Sequence, residues 1–171
     1  RTAALANRAA AVGPGTAAAA LNEGFPATAT PREFVTDAIP EVLGDVRGAR
    51  VLLARADLAT PALERALASR GAKVTHVAAY RTMRSAAPVA PADAAAADGV
   101  LFTSASAVRF LAQALGDLSM KELTRRATAF CIGPVTAAEA KGAGFASVRV
   151  AEPHTGEGLL ALLRAEVNSV A

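Results

Sequence analysis

Two glycine-proline turns followed by threonine carry the residue types best suited to chemistry: Gly13-Pro14-Gly15-Thr16 and Gly133-Pro134-Val135-Thr136. Glycine lets a chain turn sharply off a strand, and proline has no amide hydrogen to waste at a helix start. The amides that follow have no helical partner, and together with the helix dipole they form a ready site for an anion. Thr16 and Thr136 would each add a hydroxyl donor. A plain tight turn and helix start needs the same residues, so the pattern alone leaves both readings open. Thr103-Ser104-Ala105-Ser106 is a second hydroxyl-bearing junction, placed after an apolar run where open α/β sheets bind ligands. Its serines also suit the N-cap of a helix, and the two roles are compatible. Tyr80, the only tyrosine, stands beside Arg81 and Thr82 at the end of a strand-like run. Its phenol can donate a proton to a leaving group or hydrogen-bond a carboxylate. A half-buried aromatic packed against a linker is the other reading of the same position.

Several chemistries are excluded. No His or Asp neighbours the serines in a triad-like motif and no Gly-x-Ser-x-Gly is present, which argues against a nucleophilic hydrolase. Gly13-Pro14-Gly15 is not a dinucleotide fingerprint, no acidic residue ends the next strand at Thr30, and no Walker motif occurs. The histidines, His76 and His154, are isolated from any cysteine or carboxylate cluster, so no metal site is legible. One cysteine, Cys131, precludes an internal disulfide and fits a reducing cytosol; within an apolar run it reads as a small buried hydrophobe. Fifteen of the eighteen cations are arginine, a balance that a nucleotide bias of the genome would also produce, and the net charge is only +3. No block of like charge suggests nucleic-acid binding, and no apolar stretch has the length of a membrane span.

The elements that must position these residues alternate short apolar runs with amphipathic segments, as βα units around a parallel sheet do. Strands are expected at residues 9–12, 27–30, 50–55, 73–79 (running on through Tyr80-Arg81-Thr82), 99–103, 128–132 and 147–150. Helices are expected at 15–23, at 33–43 with Pro40 as an internal kink, and from Pro61, as first helical residue, to 70. Further helices are expected at 105–115 closed by Gly116, at 135–143 and at 156–167. Residues 85–98, with Pro88, Pro91 and an alanine run, read as a linker with a weak helix and the best domain boundary.

The glycine-proline turns belong to a longer duplication. Residues 12–25 reappear as 132–145, with eight of fourteen positions identical at a constant offset of 120. Each copy reads strand, Gly-Pro-x-Thr, helix, Gly-Phe, strand, Pro, helix. The second copy is preceded by Phe102–Ser106, which has no counterpart before residue 9. Arg1 to Arg8 reads as the tail of a helix, and the expectation is that a first portion of the protein is absent from this sequence.

In order and spacing the motifs resemble uroporphyrinogen-III synthases. They are Ala11-Val12-Gly13-Pro14-Gly15-Thr16, Val51-Leu52-Leu53-Ala54-Arg55, Ala79-Tyr80-Arg81-Thr82, Leu101-Phe102-Thr103-Ser104-Ala105-Ser106, Ile132-Gly133-Pro134-Val135-Thr136 and Glu152-Pro153-His154-Thr155. The resemblance implies an α/β protein of two flavodoxin-like parallel-sheet domains joined by a connector, here without its N-terminal part. Residues 1–76 would be most of the first, inserted domain, 77–84 a connecting strand, and 85–171 the larger part of the second, with an unpaired sheet edge. It also implies a cofactor-free cytoplasmic lyase, working as a monomer, that cyclises hydroxymethylbilane with inversion of ring D and loss of water. Orienting a flexible octa-carboxylate is the main task, so amides and hydroxyls facing one another across a cleft matter more than a strong base. On this reading Gly13, Thr16, Thr103, Ser104, Ser106, Gly133 and Thr136 bind substrate, and Tyr80 assists departure of the hydroxyl. Arg55, at a strand end, meets a carboxylate, and Arg81 is the weaker candidate of the two arginines. Two readings compete: a non-catalytic α/β ligand-binding or regulatory module of the same fold, and a small nucleotide- or flavin-binding domain.

Overall fold

The computed structural model describes residues 9–25, 27–32, 36–85 and 89–170. It is a mixed α/β structure in which every strand pairing is parallel. The chain divides into two compact units, Arg1–Thr82 and Met83–Ala171.

In the first unit, β1 (Ala9–Ala10) pairs with β2 (Ala27–Ala29), and α1 (Pro14–Asn22) connects them. A separate pair is formed by β3 (Arg50–Ala56) and β4 (Lys73–Tyr80), connected by α3 (Ala62–Ser69). Leu63 and Leu67, one turn apart on α3, reach the same core as Leu53, Val46 and Ile39. Ile39 lies on α2 (Ile39–Leu43), which a 3-10 turn at Thr36–Ala38 introduces. Pro40 therefore sits in the first turn of a short helix, where its missing amide costs nothing, and does not kink a longer one. The expected helical start at 33–35 lies outside the described residues. Pro61 caps α3 from outside instead of being its first residue.

β4 ends at Tyr80, short of the expected run through Thr82. The register slips between Arg55 and Ala56, and the Asp57 carboxylate accepts the Thr82 amide at 2.9 Å. That amide is thereby taken out of any further ladder.

The second unit holds β5 (Gly99–Phe102), β6 (Thr128–Cys131) and β7 (Ser147–Val150), in the order β5-β6-β7. Both β5 and β7 are edge strands among the described residues. Within 85–98, α4 (Pro91–Ala96) is the expected weak helix. The long α5 (Ala105–Arg126) is two helical pieces, because Gly116 leaves helical geometry at φ 71° and ψ 172°. The expected stop at Gly116 is thus present, and a second piece to Arg126 follows that the sequence pattern did not single out. Its end is anchored by Arg126, which donates to the Ala95 carbonyl at 2.6 Å and to Asp98 at 3.1 Å, fixing the entry into β5. α6 (Pro134–Gly142) connects β6 to β7, and α7 (Gly156–Val170) follows β7. Phe102, Val108, Leu123, Cys131, Ala140 and Phe145 build the core, with Phe102 and Phe145 edge to face at 5.6 Å. No helix of the described residues is long and apolar enough to cross a membrane.

Candidate functional site

In the second unit, the in-register pairing of three parallel strands puts their carboxyl ends along one edge of the sheet. A helix starts at each of those ends. After β5, Ser104 is the N-cap of α5, and its Oγ accepts the Ala107 amide at 3.2 Å. Ser106 lies one residue into the helix with its Oγ 3.0 Å from that of Ser104, while Thr103 is exposed just past the strand. After β6, Gly133 is the extended N-cap of α6, with Pro134 first in the helix. After β7, Thr155 starts α7: its Oγ1 accepts the Gly158 amide at 3.1 Å and its carbonyl the Leu159 amide at 2.9 Å. Each start leaves further amides without helical partners, and three dipoles reinforce one another at the same sheet edge.

The first unit presents different chemistry. A groove of about 1170 Å³ is walled by β1 and β3, and Thr16, Arg55 and Tyr80 are among its lining residues. Arg55 is half-buried and donates from Nη1 to the Thr60 carbonyl at 3.0 Å. Tyr80 is 62% exposed. The backbone around it is fixed on both sides. The Asp57 amide donates to the Tyr80 carbonyl at 3.0 Å, and the Asp57 carboxylate holds the Leu58 and Thr82 amides, each at 2.9 Å. Gly13 caps α1 in the same extended conformation as Gly133. Arg81 is exposed just beyond β4.

The two threonines of the repeat differ in placement. Thr16 is exposed, whereas Thr136 is 5% exposed, on the packed side of α6 with Ala137 and Ala140. No group of three or more His, Cys, Asp or Glu side chains suited to a metal ion occurs among the described residues. Burial pushes the Cys131 thiol up from its ordinary value, which keeps it protonated and unreactive at neutral pH.

The family model for "Uroporphyrinogen-III synthase HemD" matches residues 2–161. The chain belongs to the uroporphyrinogen-III synthase family. Among solved structures, a mutant uroporphyrinogen III synthase from the extremely thermophilic bacterium Thermus thermophilus is 26% identical, with a TM-score of 0.60 over 93% of this chain and 65% of that one. A uroporphyrinogen-III synthetase from Helicobacter pylori shares the fold at 19% identity, with a TM-score of 0.59 over 88% of this chain and 65% of that one. The chain thus spans about 65% of the length of these relatives. No curated protein matches it.

Within this family member, the expected site residues fall into two sets. Thr103, Ser104, Ser106, Gly133 and Thr136 lie along one sheet edge of the second unit. Thr16, Arg55 and Tyr80 share the groove of the first, with Gly13 at the helix start beside it. Asp57 and Thr155 are local organisers that no motif in the sequence singles out. Both had a signal: an Asp directly after a strand and a Thr directly before a helix satisfy nearby amides.

Proposed function

We propose that the protein is a uroporphyrinogen-III synthase, cyclising hydroxymethylbilane to uroporphyrinogen III in the tetrapyrrole pathway. The single observation that carries this, in a chain of this family, is the convergence of three capped helix starts on one sheet edge. Such an edge offers donors to several carboxylates at once, as an octa-carboxylate requires. On the same proposal the two units are flavodoxin-like domains, with 77–84 as connector, and the protein acts in the cytoplasm without a cofactor.

The reaction asks for little side-chain chemistry. Departure of the protonated hydroxyl as water leaves an azafulvenium cation, which the substituted carbon of ring D attacks to form a spiro intermediate. The bond from that carbon to its old methylene bridge then breaks and re-forms at the free α-carbon, which loses its proton, so that the ring is inverted. The amide and hydroxyl donors hold the carboxylates so that this closure outruns the unflipped one, an orientation effect worth up to about 7–11 kcal/mol in well-aligned systems. The exposed Tyr80 phenol, with its backbone clamped by Asp57, donates a proton to the departing hydroxyl. Arg55 meets a carboxylate with the guanidinium donors that Thr60 does not use.

Supplying hydroxymethylbilane in situ and separating the isomers tests the proposal, with uroporphyrinogen III expected. Accumulation of isomer I alone, at the spontaneous rate, would refute it. The second reading is a ligand-binding module of the same fold. Tetrapyrrole binding without turnover would mark that case.

A further inference from the structure

The helix starts in the second unit are rich in donors, which suits carboxylates. A tetrapyrrole also carries pyrrole N–H groups, and those require an acceptor. His154 lies where one is needed. It directly precedes Thr155, the residue that starts α7, and its ring lies against the N-cap of α6: a Cβ placed on Gly133 would be 3.7 Å from the His154 Cγ. The side chain is half-buried, so the ring is held and not free on the surface. Its Nδ1 is 2.7 Å from the Ala151 carbonyl oxygen. A carbonyl can only accept, so Nδ1 carries the hydrogen and Nε2 of the neutral ring carries the lone pair. Among the described residues Nε2 has no partner.

We infer that His154 is a further substrate-binding residue, whose Nε2 accepts a pyrrole N–H while the amides of α6 and α7 hold carboxylates nearby. The inference rests on the lyase reading above. It gives the second unit a means of fixing ring orientation as well as carboxylate position, since a carboxylate-only site would leave the pyrroles free to rotate.

Two ligands separate the N–H contact from the carboxylate contacts. Uroporphyrinogen III has flexible, accessible N–H groups, whereas uroporphyrin III has the same eight carboxylates but turns its N–H groups into the macrocycle. His154→Asn retains a donor for the Ala151 carbonyl and removes the distal acceptor, so it keeps the local tether. Equilibrium dialysis without oxygen should show this variant binding uroporphyrinogen III about five- to tenfold more weakly, the loss expected of one hydrogen bond. Binding of uroporphyrin III should be unchanged. The KM for hydroxymethylbilane should rise by the same factor with kcat within about twofold. His154→Gln, which carries an amide oxygen at the distal position, should recover part of the loss. Equal losses for both ligands, or no loss for either, would overturn the inference while leaving the lyase reading in place. Failure of the unaltered protein to bind either ligand would overturn both.

Discussion

Tyr80 shows how one residue is made available without being packed. At 62% exposure it contributes little to a core, and the Asp57 contacts to its own carbonyl and to the Thr82 amide fix its backbone instead. Tyr80→Phe should therefore leave the unfolding midpoint unchanged and slow turnover about 100-fold, as loss of a general acid does. Equal turnover by the two proteins in a stopped assay would remove the phenol from the mechanism. Asp57→Ala leaves the phenol in place but frees two amides, and turnover should fall with far-UV circular dichroism preserved. Cys131 supplies a contrasting residue. Burial raises its pKa, so folded and unfolded chains bind the same protons at neutral pH, and the contribution to stability is full below the ordinary thiol value. It is lost as pH rises from the ordinary value towards the raised one, where only the unfolded chain ionises. The availability of Tyr80 was legible as an alternative only, because exposure depends on what the rest of the unit leaves uncovered. The link from Asp57 to the segment after Tyr80 was not legible, because the Thr82 amide it holds lies 25 residues away in sequence.

The duplicated helix is the clearest case of a local sequence dictating local structure. In both copies glycine caps the start with extended backbone, and the fourth residue after it donates to its carbonyl, Ala17 to Gly13 at 3.1 Å and Ala137 to Gly133 at 3.0 Å. Both copies close on a left-handed glycine, Gly24 at φ 80° and Gly144 at φ 98°. Phe25 then donates to Ala20 at 2.8 Å, and Phe145 to Ala140 at 3.2 Å. These bonds were legible because they are written within one turn of the residues that make them. Packing was not. Phe145 is 5% exposed against Phe102, whereas Phe25 is 68% exposed and α1 has no buried residue. Phe145→Ala should cost about 3–5 kcal/mol and Phe25→Ala no more than about 0.5 kcal/mol in denaturant titrations, although the residues are equivalent in the repeat. The second half of α5 was not legible for a related reason: the break at Gly116 reads as an end, whereas Met120 and Leu123 on the next piece pack into the core. At the start of α7, a methyl group on Gly158 would collide with the Pro153 carbonyl, which is backbone and cannot swing aside. Gly158→Ala should lower the melting temperature more than an ordinary surface change does. The same substitution at Gly142, where a Cβ meets nothing within 4 Å, should not.

At the scale of the molecule, each unit carries its own hydrophobic clusters. Ile39, Val46, Leu53, Leu63 and Leu67 serve the first, while Phe102, Val108, Leu123, Cys131, Phe145 and their neighbours serve the second. The second cluster is larger, and a three-stranded sheet backs it; among the described residues the first has two pairs of strands, with Leu52 of β3 66% exposed. Buried apolar area sets the main favourable term in folding, so the second unit should survive conditions that unfold the first. The sequence provides a separate probe for each. Tyr80 is the only tyrosine, there is no tryptophan, and Tyr80 belongs to the first unit, so tyrosine fluorescence follows that unit alone. Cys131, the only cysteine, is fully buried in the second, and its alkylation by iodoacetamide follows opening there. In a urea titration the fluorescence transition should come first and the alkylation transition at higher urea. Superimposed transitions would mean the two units unfold as one, and the separate clusters would then not be separate cooperative units. An early loss of the first unit would also unfold the groove that holds Tyr80 and Arg55 while the three helix starts remain, so tetrapyrrole binding should outlast turnover as urea is raised.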